Sequence, residues 1–291
     1  MRIGRWVSHK PYLWLLMPGI IFLGFFLIVP CLWVIRVSFY QNISGGYMKA
    51  AWVLTNYGRF LGDLWYLQNV LFFSFKIALF TTLLSIIIAY PVSLYIAGSR
   101  GRKKQLLLTI TLAPLLIGMV CLIFGWIVIF RGHGLINQVM LWAGIISTPV
   151  KYLYTLKGVI ICLVYISIPY VILNLLDSLE RIDPSLEEAA MNVGANRLQS
   201  FIKITLPLTV PGMFSGSLIV FALNFCAFAV PLMLGGDRIS MAGVYVYAQA
   251  MELNNMPFAA TISIILLVSN AGTLFVYSRL INRFFLKRLG V

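Results

Sequence analysis

Residues 69–97 read NVLFFSFKIALFTTLLSIIIAYPVSLYIA, and Lys76 is their one charged side chain. A helix needs about 20 mostly apolar residues to cross a bilayer. This stretch exceeds that length. It also lacks the strict alternation of a membrane β-strand, so the reading is a spanning helix.

Five more segments qualify. With the first they run Leu13–Ile35, Asn69–Ala97, Leu106–Phe130, Leu156–Leu176, Leu208–Leu234 and Phe258–Ile281. The expected fold is all-α: a polytopic membrane protein with six transmembrane helices in one domain over residues 1–291. The chain is 61% hydrophobic and 10% charged, with a mean hydropathy of +0.95. Soluble domains carry about 25% charged residues. The run from Leu13 to Ile35 exceeds the apolar core of a signal peptide, about 7–15 residues, and is read as a retained first span.

The net charge of +14 does not indicate nucleic acid as a partner. The basic residues cluster at the ends of apolar segments, where they report topology. Arg2, Arg5, Lys10, Arg100, Arg102, Lys103, Lys104, Arg181, Arg197, Lys203, Arg279, Arg283, Lys287 and Arg288 fall on one side. Arg36, Lys49, Arg59, Arg131, Lys151, Lys157 and Arg238 fall on the other. Fourteen against seven places both termini in the cytoplasm. The loops at Arg36–Gln68, Arg131–Thr155 and Gly235–Pro257 then face outward, as a platform for a receptor.

Catalytic and metal constellations are absent from the sequence. Cys31, Cys121, Cys162 and Cys226 each sit inside an apolar run without ligand spacing, and His9 and His133 are far apart. These facts weigh against a membrane enzyme. No catalytic residue, metal site or cofactor is expected in this chain.

The connection from Asp177 to Pro207 is unlike the rest. It holds five of the eight acidic residues, Asp177, Glu180, Asp183, Glu187 and Glu188. Asp183 is placed to cap a helix with Pro184 at its first position. Glu187 and Glu188 follow, where the helix dipole favours negative charge. Gly194 suits a left-handed stop. Asn196 and Gln199 have capping-box spacing for a second short helix, expected to end at Leu206-Pro207. Ala189, Ala190 and Val193 are expected to pack on Leu198, Phe201 and Ile202.

Here a family resemblance enters. Glu188-Ala189-Ala190, then Gly194, Ile204, Leu206 and Pro207 resemble the EAA loop of ABC-importer permeases at every defined position. Pro18-Gly19, Ser38-Phe39, Asn56-Tyr57, Arg181 to Leu186 and Phe228 to Gly236 are similar to the first permease of spermidine/putrescine-type importers. The resemblance implies a type I importer permease in the bacterial inner membrane. It implies three kinds of partner: a second permease subunit, a cytoplasmic ATPase dimer holding ATP and Mg²⁺, and a periplasmic solute-binding protein. The chain has no phosphate loop of its own. Glu188, Ala189, Ala190, Gly194, Ile204, Leu206 and Pro207 would couple it to the ATPase.

For the solute pathway the residues singled out are Asn224, Tyr170, Trp126 and Phe228; Lys76, Asn174 and Asn270 are further intramembrane polar groups. The expected solute is a polyamine or a related small organic cation or amino-acid-like compound. The nearest carboxylates, Asp63, Asp237 and Glu252, belong to outward loops, which leaves a polycation without a buried counter-charge. The alternative is a secondary transporter driven by an ion gradient. It would need ionisable groups within the spans, and only Lys76 is there.

Overall fold

A computed structural model describes residues 11–43, 47–236, 239–281 and 283. Arg2, Arg5, His9, Lys10, Asp237, Arg238, Lys287 and Arg288 lie outside the described residues. Among the described residues the chain is helical apart from loops and one small hairpin. The order is α1 (Pro11–Ser38), β1 (Gln41–Ile43), β2 (Tyr47–Lys49), α2 (Thr55–Gly62) and α3 (Leu64–Ala97). Then come α4 (Gly101–Leu116), α5 (Met119–Phe130), α6 (Leu135–Trp142), α7 (Leu156–Glu180) and α8 (Ser185–Asn192). α9 (Arg197–Phe225), α10 (Ala242–Tyr247) and α11 (Met256–Ile281) complete the chain. Among the described residues six helical stretches are long and apolar enough to cross a membrane, the third of them Met119–Trp142.

α3, α7 and α9 pack on one another and form the centre. More than half of the apolar window of α7 is buried (56%), against 6% for α1, which lies along α11. Small residues let the central helices approach. Ser74, Ala78, Thr81, Ser85, Ala89 and Ser93 recur on one buried face of α3. Their hydroxyls donate back to carbonyls of the preceding turn, as Ser85 does to Thr81 at 2.7 Å, so they bury without an unpaired donor. Gly212 and Gly216 do the same work on α9. A Cβ at Gly212 would stand 2.3 Å from Ser178 Oγ and 2.6 Å from the Asn174 carbonyl on α7. This spacing of small residues is a helix-contact signal that the hydropathy reading passed over.

The segments that follow α1 are tied to the helices. Asn56 Nδ2 donates to the carbonyls of Ser38 (3.1 Å) and Tyr40 (3.0 Å), and Tyr57 Oη lies 2.8 Å from Ser38 Oγ. The two sequence pairs Ser38-Phe39 and Asn56-Tyr57 therefore form one clasp at the end of α1. Phe60, Tyr66, Tyr245 and Phe258 pack into an aromatic cluster beside it.

The structure corrects several boundaries. The segment 106–130 is not one helix. α4 starts earlier, at Gly101, and stops at Leu116, and the chain is extended at Ile117 and Gly118 before α5 begins. Pro114 weakens the last turn of α4 by removing an amide donor. The segment 208–234 also ends early, at Phe225. Beyond it Pro231–Gly235 makes one wide turn that buries Pro231, Leu234 and Gly235 near the start of α7, where Tyr154 N donates to the Leu234 carbonyl at 2.8 Å. Pro231 cannot continue the helical ladder, and Gly236 turns the chain with φ +62°. α7 runs on to Glu180, so Asp177 and Glu180 belong to it and not to the loop. Leu206-Pro207 does not end a helix either. α9 continues through it from Arg197, because a wide turn over Phe201–Thr205 precedes the proline and relieves the clash its ring would make.

Candidate functional site

The loop between α7 and α9 is built largely from local signals, with one shift of register. α8 starts at Ser185, so Pro184 and not Asp183 stands at its N-cap, and Asp183 accepts a hydrogen bond from the Ser185 N–H at 2.9 Å just ahead of the helix. That backbone bond, with the Ser185 side chain second, holds the exposed Asp183 carboxyl below its ordinary range. Glu187 and Glu188 fall in the first turn of α8. The Glu187 carboxylate accepts a hydrogen bond from the Thr205 hydroxyl on α9. Glu188 and Ala189 are exposed and Ala190 is half-buried.

The end of α8 is a Schellman turn. Ala195 N donates to the Ala190 carbonyl and Gly194 N to the Met191 carbonyl, both at 3.0 Å. Gly194 has φ +92°. The next helix begins at once with a complete capping box, Gln199 N to Asn196 Oδ1 at 2.8 Å and Asn196 N to Gln199 Oε1 at 3.0 Å. Ile204, Leu206 and Pro207 are half-buried on α9.

The expected apolar packing across this turn is not made. Val193 is 89% exposed and Leu198 65%. Backbone hydrogen bonds close the turn, so no small core is needed between its halves. Met191, Val193, Leu198 and Ile202 instead form an exposed apolar rim beside Glu188 and Ala189. Behind it, Lys104 Nζ lies 2.8 Å from Glu180 Oε1 and ties the start of α4 to the end of α7.

The four pathway residues do not converge. Asn224 is buried in the central seam, where Nδ2 donates to Thr81 Oγ1 and Ser167 Oγ, each at 3.0 Å. It joins α9 to α3 and α7. Tyr170 packs with the Ile172 and Leu175 cluster. Trp126 sits against Phe130 and Tyr165, with ring centroids 4.9 and 5.1 Å away. Phe228 stacks on Tyr247 at 5.8 Å and borders an apolar cavity of about 440 Å³ lined also by Cys226, Val246, Met251 and Leu267. Asn174 Nδ2 is used by the Tyr170 carbonyl at 2.8 Å. Asn270 is held beside Cys226, and its Oδ1 has no partner. Lys76 is exposed, with its ammonium 4.6 Å from the Phe72 ring centre.

This six-span helical membrane protein is a permease subunit of an ABC importer. The chain belongs to the family described as binding-protein-dependent transport system inner membrane component, whose model matches residues 89–285. It is 34% identical over 261 residues to the spermidine/putrescine transport system permease protein PotB of Escherichia coli (strain K12), covering 89% of this chain and 94% of that protein. The PotB of Haemophilus influenzae is 32% identical over 262 residues, covering 89% and 91%. Among solved structures, a chain of the bacterial alginate ABC transporter in complex with its alginate-pentasaccharide-bound periplasmic protein superposes with a TM-score of 0.73. That match is at 19% identity and covers 94% of this chain and 95% of the other. A chain of the MetNI methionine transporter follows with a TM-score of 0.58 at 17% identity, covering 76% and 96%. These structural likenesses carry the fold. The protein is therefore a multi-pass component of the inner membrane.

Proposed function

We propose that this chain is one of two permease subunits of an importer for a polyamine or a closely related small organic cation. The observation that supports the solute class is the 34% identity with the spermidine/putrescine permease across nearly all of that protein's length. A periplasmic binding protein delivers the solute to the outward loops. A cytoplasmic ATPase dimer, holding ATP and Mg²⁺, seats on α8 and drives alternating access.

The geometry of the loop supports this division of labour. Glu188 and Ala189 are free to meet a partner, the exposed Met191, Val193 and Leu198 give it an apolar seat, and the Gly194 turn fixes their spacing. Glu187 and the turn over Phe201–Thr205 pass a push on α8 into α9 without a flexible joint. In this reading both termini, Lys103 and Arg197 are cytoplasmic, and Lys49 and Lys151 are periplasmic.

The test is to purify the cognate binding protein and measure which small molecules raise its melting temperature, because a ligand stabilises the state it binds. Putrescine or spermidine should do so, and cells carrying the intact importer should take up the same compound. A binding protein that responds to a sugar or an inorganic anion and ignores both polyamines would overturn the solute assignment. Single-cysteine labelling of intact cells with an impermeant reagent checks orientation; labelling at 197 but not at 151 would reverse it.

A further inference from the structure

The gap between α4 and α5 is a backbone feature at membrane depth. Ile117 (φ −86°, ψ 131°) and Gly118 (φ −56°, ψ 133°) are extended, so the amides beyond Ile117 leave the helical ladder. The last carbonyls of α4, from Pro114 to Leu116, thus have no helical donor. Pro114 deprives the Ile110 carbonyl of one as well. Residues 115–120 are all exposed, Leu116 by 84%.

Contacts with α7 set the depth. Lys104 bridges to Glu180, and Leu107 and Leu108 pack against the cluster that holds Val171, Ile172, Leu175 and Leu176. On the other side of the gap, Leu122 and Ile123 belong to the cluster that holds Val159, Cys162 and Leu163. The gap therefore lies level with the middle of α7. From Leu106 to Leu116 a helix rises about 16 Å, near half of a core about 30 Å thick.

Unpaired carbonyls at that depth are not tolerated against lipid; they must face protein or a water-filled path. They are also the negative end of a helix dipole, and broken helices hold cations in this way. The chain has need of such a site. Among the described residues no carboxylate lies on a helix at this depth; Asp177 and Glu180 sit at the last turn of α7. Resting on the polyamine reading, we propose that the carbonyls ending α4, at the Ile117-Gly118 break, are a subsite for a primary ammonium of the solute. The ammonium has three N–H donors to give them. The first amides of α5 open on the same gap with opposite polarity, so the cation sits on the α4 lip.

Gly118 gives the test, since nothing lies within 4 Å of where its Cβ would be. Gly118→Lys places a tethered ammonium at the carbonyls, and Gly118→Gln is a neutral side chain of similar reach. In proteoliposomes of the whole importer with its binding protein, putrescine uptake by Gly118→Lys should fall about tenfold or more below uptake by Gly118→Gln. Equal uptake by the two variants, whether both normal or both lost, overturns the subsite. If wild type imports no primary amine, the solute reading falls and the subsite with it; wild-type import with indistinguishable variants sinks the subsite alone. Should Gly118→Lys fail to assemble, Gly118→Cys in a background freed of native cysteines is folded first. It is then treated with an ammonium-bearing or a neutral thiosulfonate, with the same two outcomes.

Discussion

The Thr205 hydroxyl donates to the Glu187 carboxylate, joining α8 to α9 across 18 residues of sequence. Thr205 is buried and lies in the wide turn that leads into α9. A hydrogen bond to a charged group is worth about 1.5–3 kcal/mol, and less here because Glu187 is half-exposed. Thr205→Val keeps the shape and removes the donor. Its membrane abundance should be normal and the ATPase should remain bound, while the ATP hydrolysed per solute imported rises several-fold. Parallel assays of ATP turnover and uptake in proteoliposomes check it, and an unchanged ratio would show that the bond does not transmit motion.

Gly194 is the position where α8 must stop, and its φ of +92° is costly for a side chain. The penalty is roughly 1–2 kcal/mol for most residues and smaller for Asn. No neighbour lies within 4 Å of a Cβ there, so the effect is conformational and not a clash within the chain. Gly194→Asp should leave the spans inserted, reduce co-purification of the ATPase and abolish uptake. Gly194→Asn should retain part of both. Normal ATPase retention and wild-type uptake by Gly194→Asp would remove this loop from the coupling mechanism.

Gly212 makes the closest approach of α9 to α7. Gly212→Ala puts a methyl group into the Ser178 hydroxyl and the Asn174 carbonyl. Overpacking of this kind costs about 1–3 kcal/mol. The variant should melt at a lower temperature in detergent, and Ser178→Ala should not restore it, because the backbone oxygen at 2.6 Å remains. Full rescue by Ser178→Ala would locate the whole conflict in the side chain.

Asn224 separates a structural role from a pathway role. Its amide joins Thr81 and Ser167, but each hydroxyl also has a backbone carbonyl to bond, Ile77 for Thr81 and Leu163 for Ser167. Asn224→Leu should therefore cost only about 0.6–2 kcal/mol, and Asn224→Asp more, because a carboxyl in this seam has no cation beside it. Melting temperatures of the two variants test this. A normal melting temperature in Asn224→Leu with a raised uptake KM would return Asn224 to the solute path.

Much of the loop between α7 and α9 was legible in the sequence. Caps and turns are decided within four or five residues, so Gly194 and Asn196 with Gln199 formed as their chemistry requires, while α8 starts one residue later than the Asp183-Pro184 pair suggests. The acceptor for Thr205 was not legible, since Glu187 and Glu188 differ only in where the tertiary fold aims them. The exposure of Val193 and Leu198 was not legible for a related reason: an apolar residue on a surface has the same letter as one in a core.

The sequence alone determined that this is a six-span helical membrane protein of the importer-permease family with a capped loop between its fourth and fifth spans. Hydropathy and capping are sums over neighbours along the chain, and they survive without knowledge of the fold. Only the tertiary structure decided that the third segment breaks at Ile117-Gly118, that α9 stops at Phe225 and that Asn224 lies in a seam. Hydropathy does not register a missing backbone hydrogen bond. Whether a helix continues or breaks, and whether a polar side chain faces a neighbour or a passage, depends on which helices stand beside it.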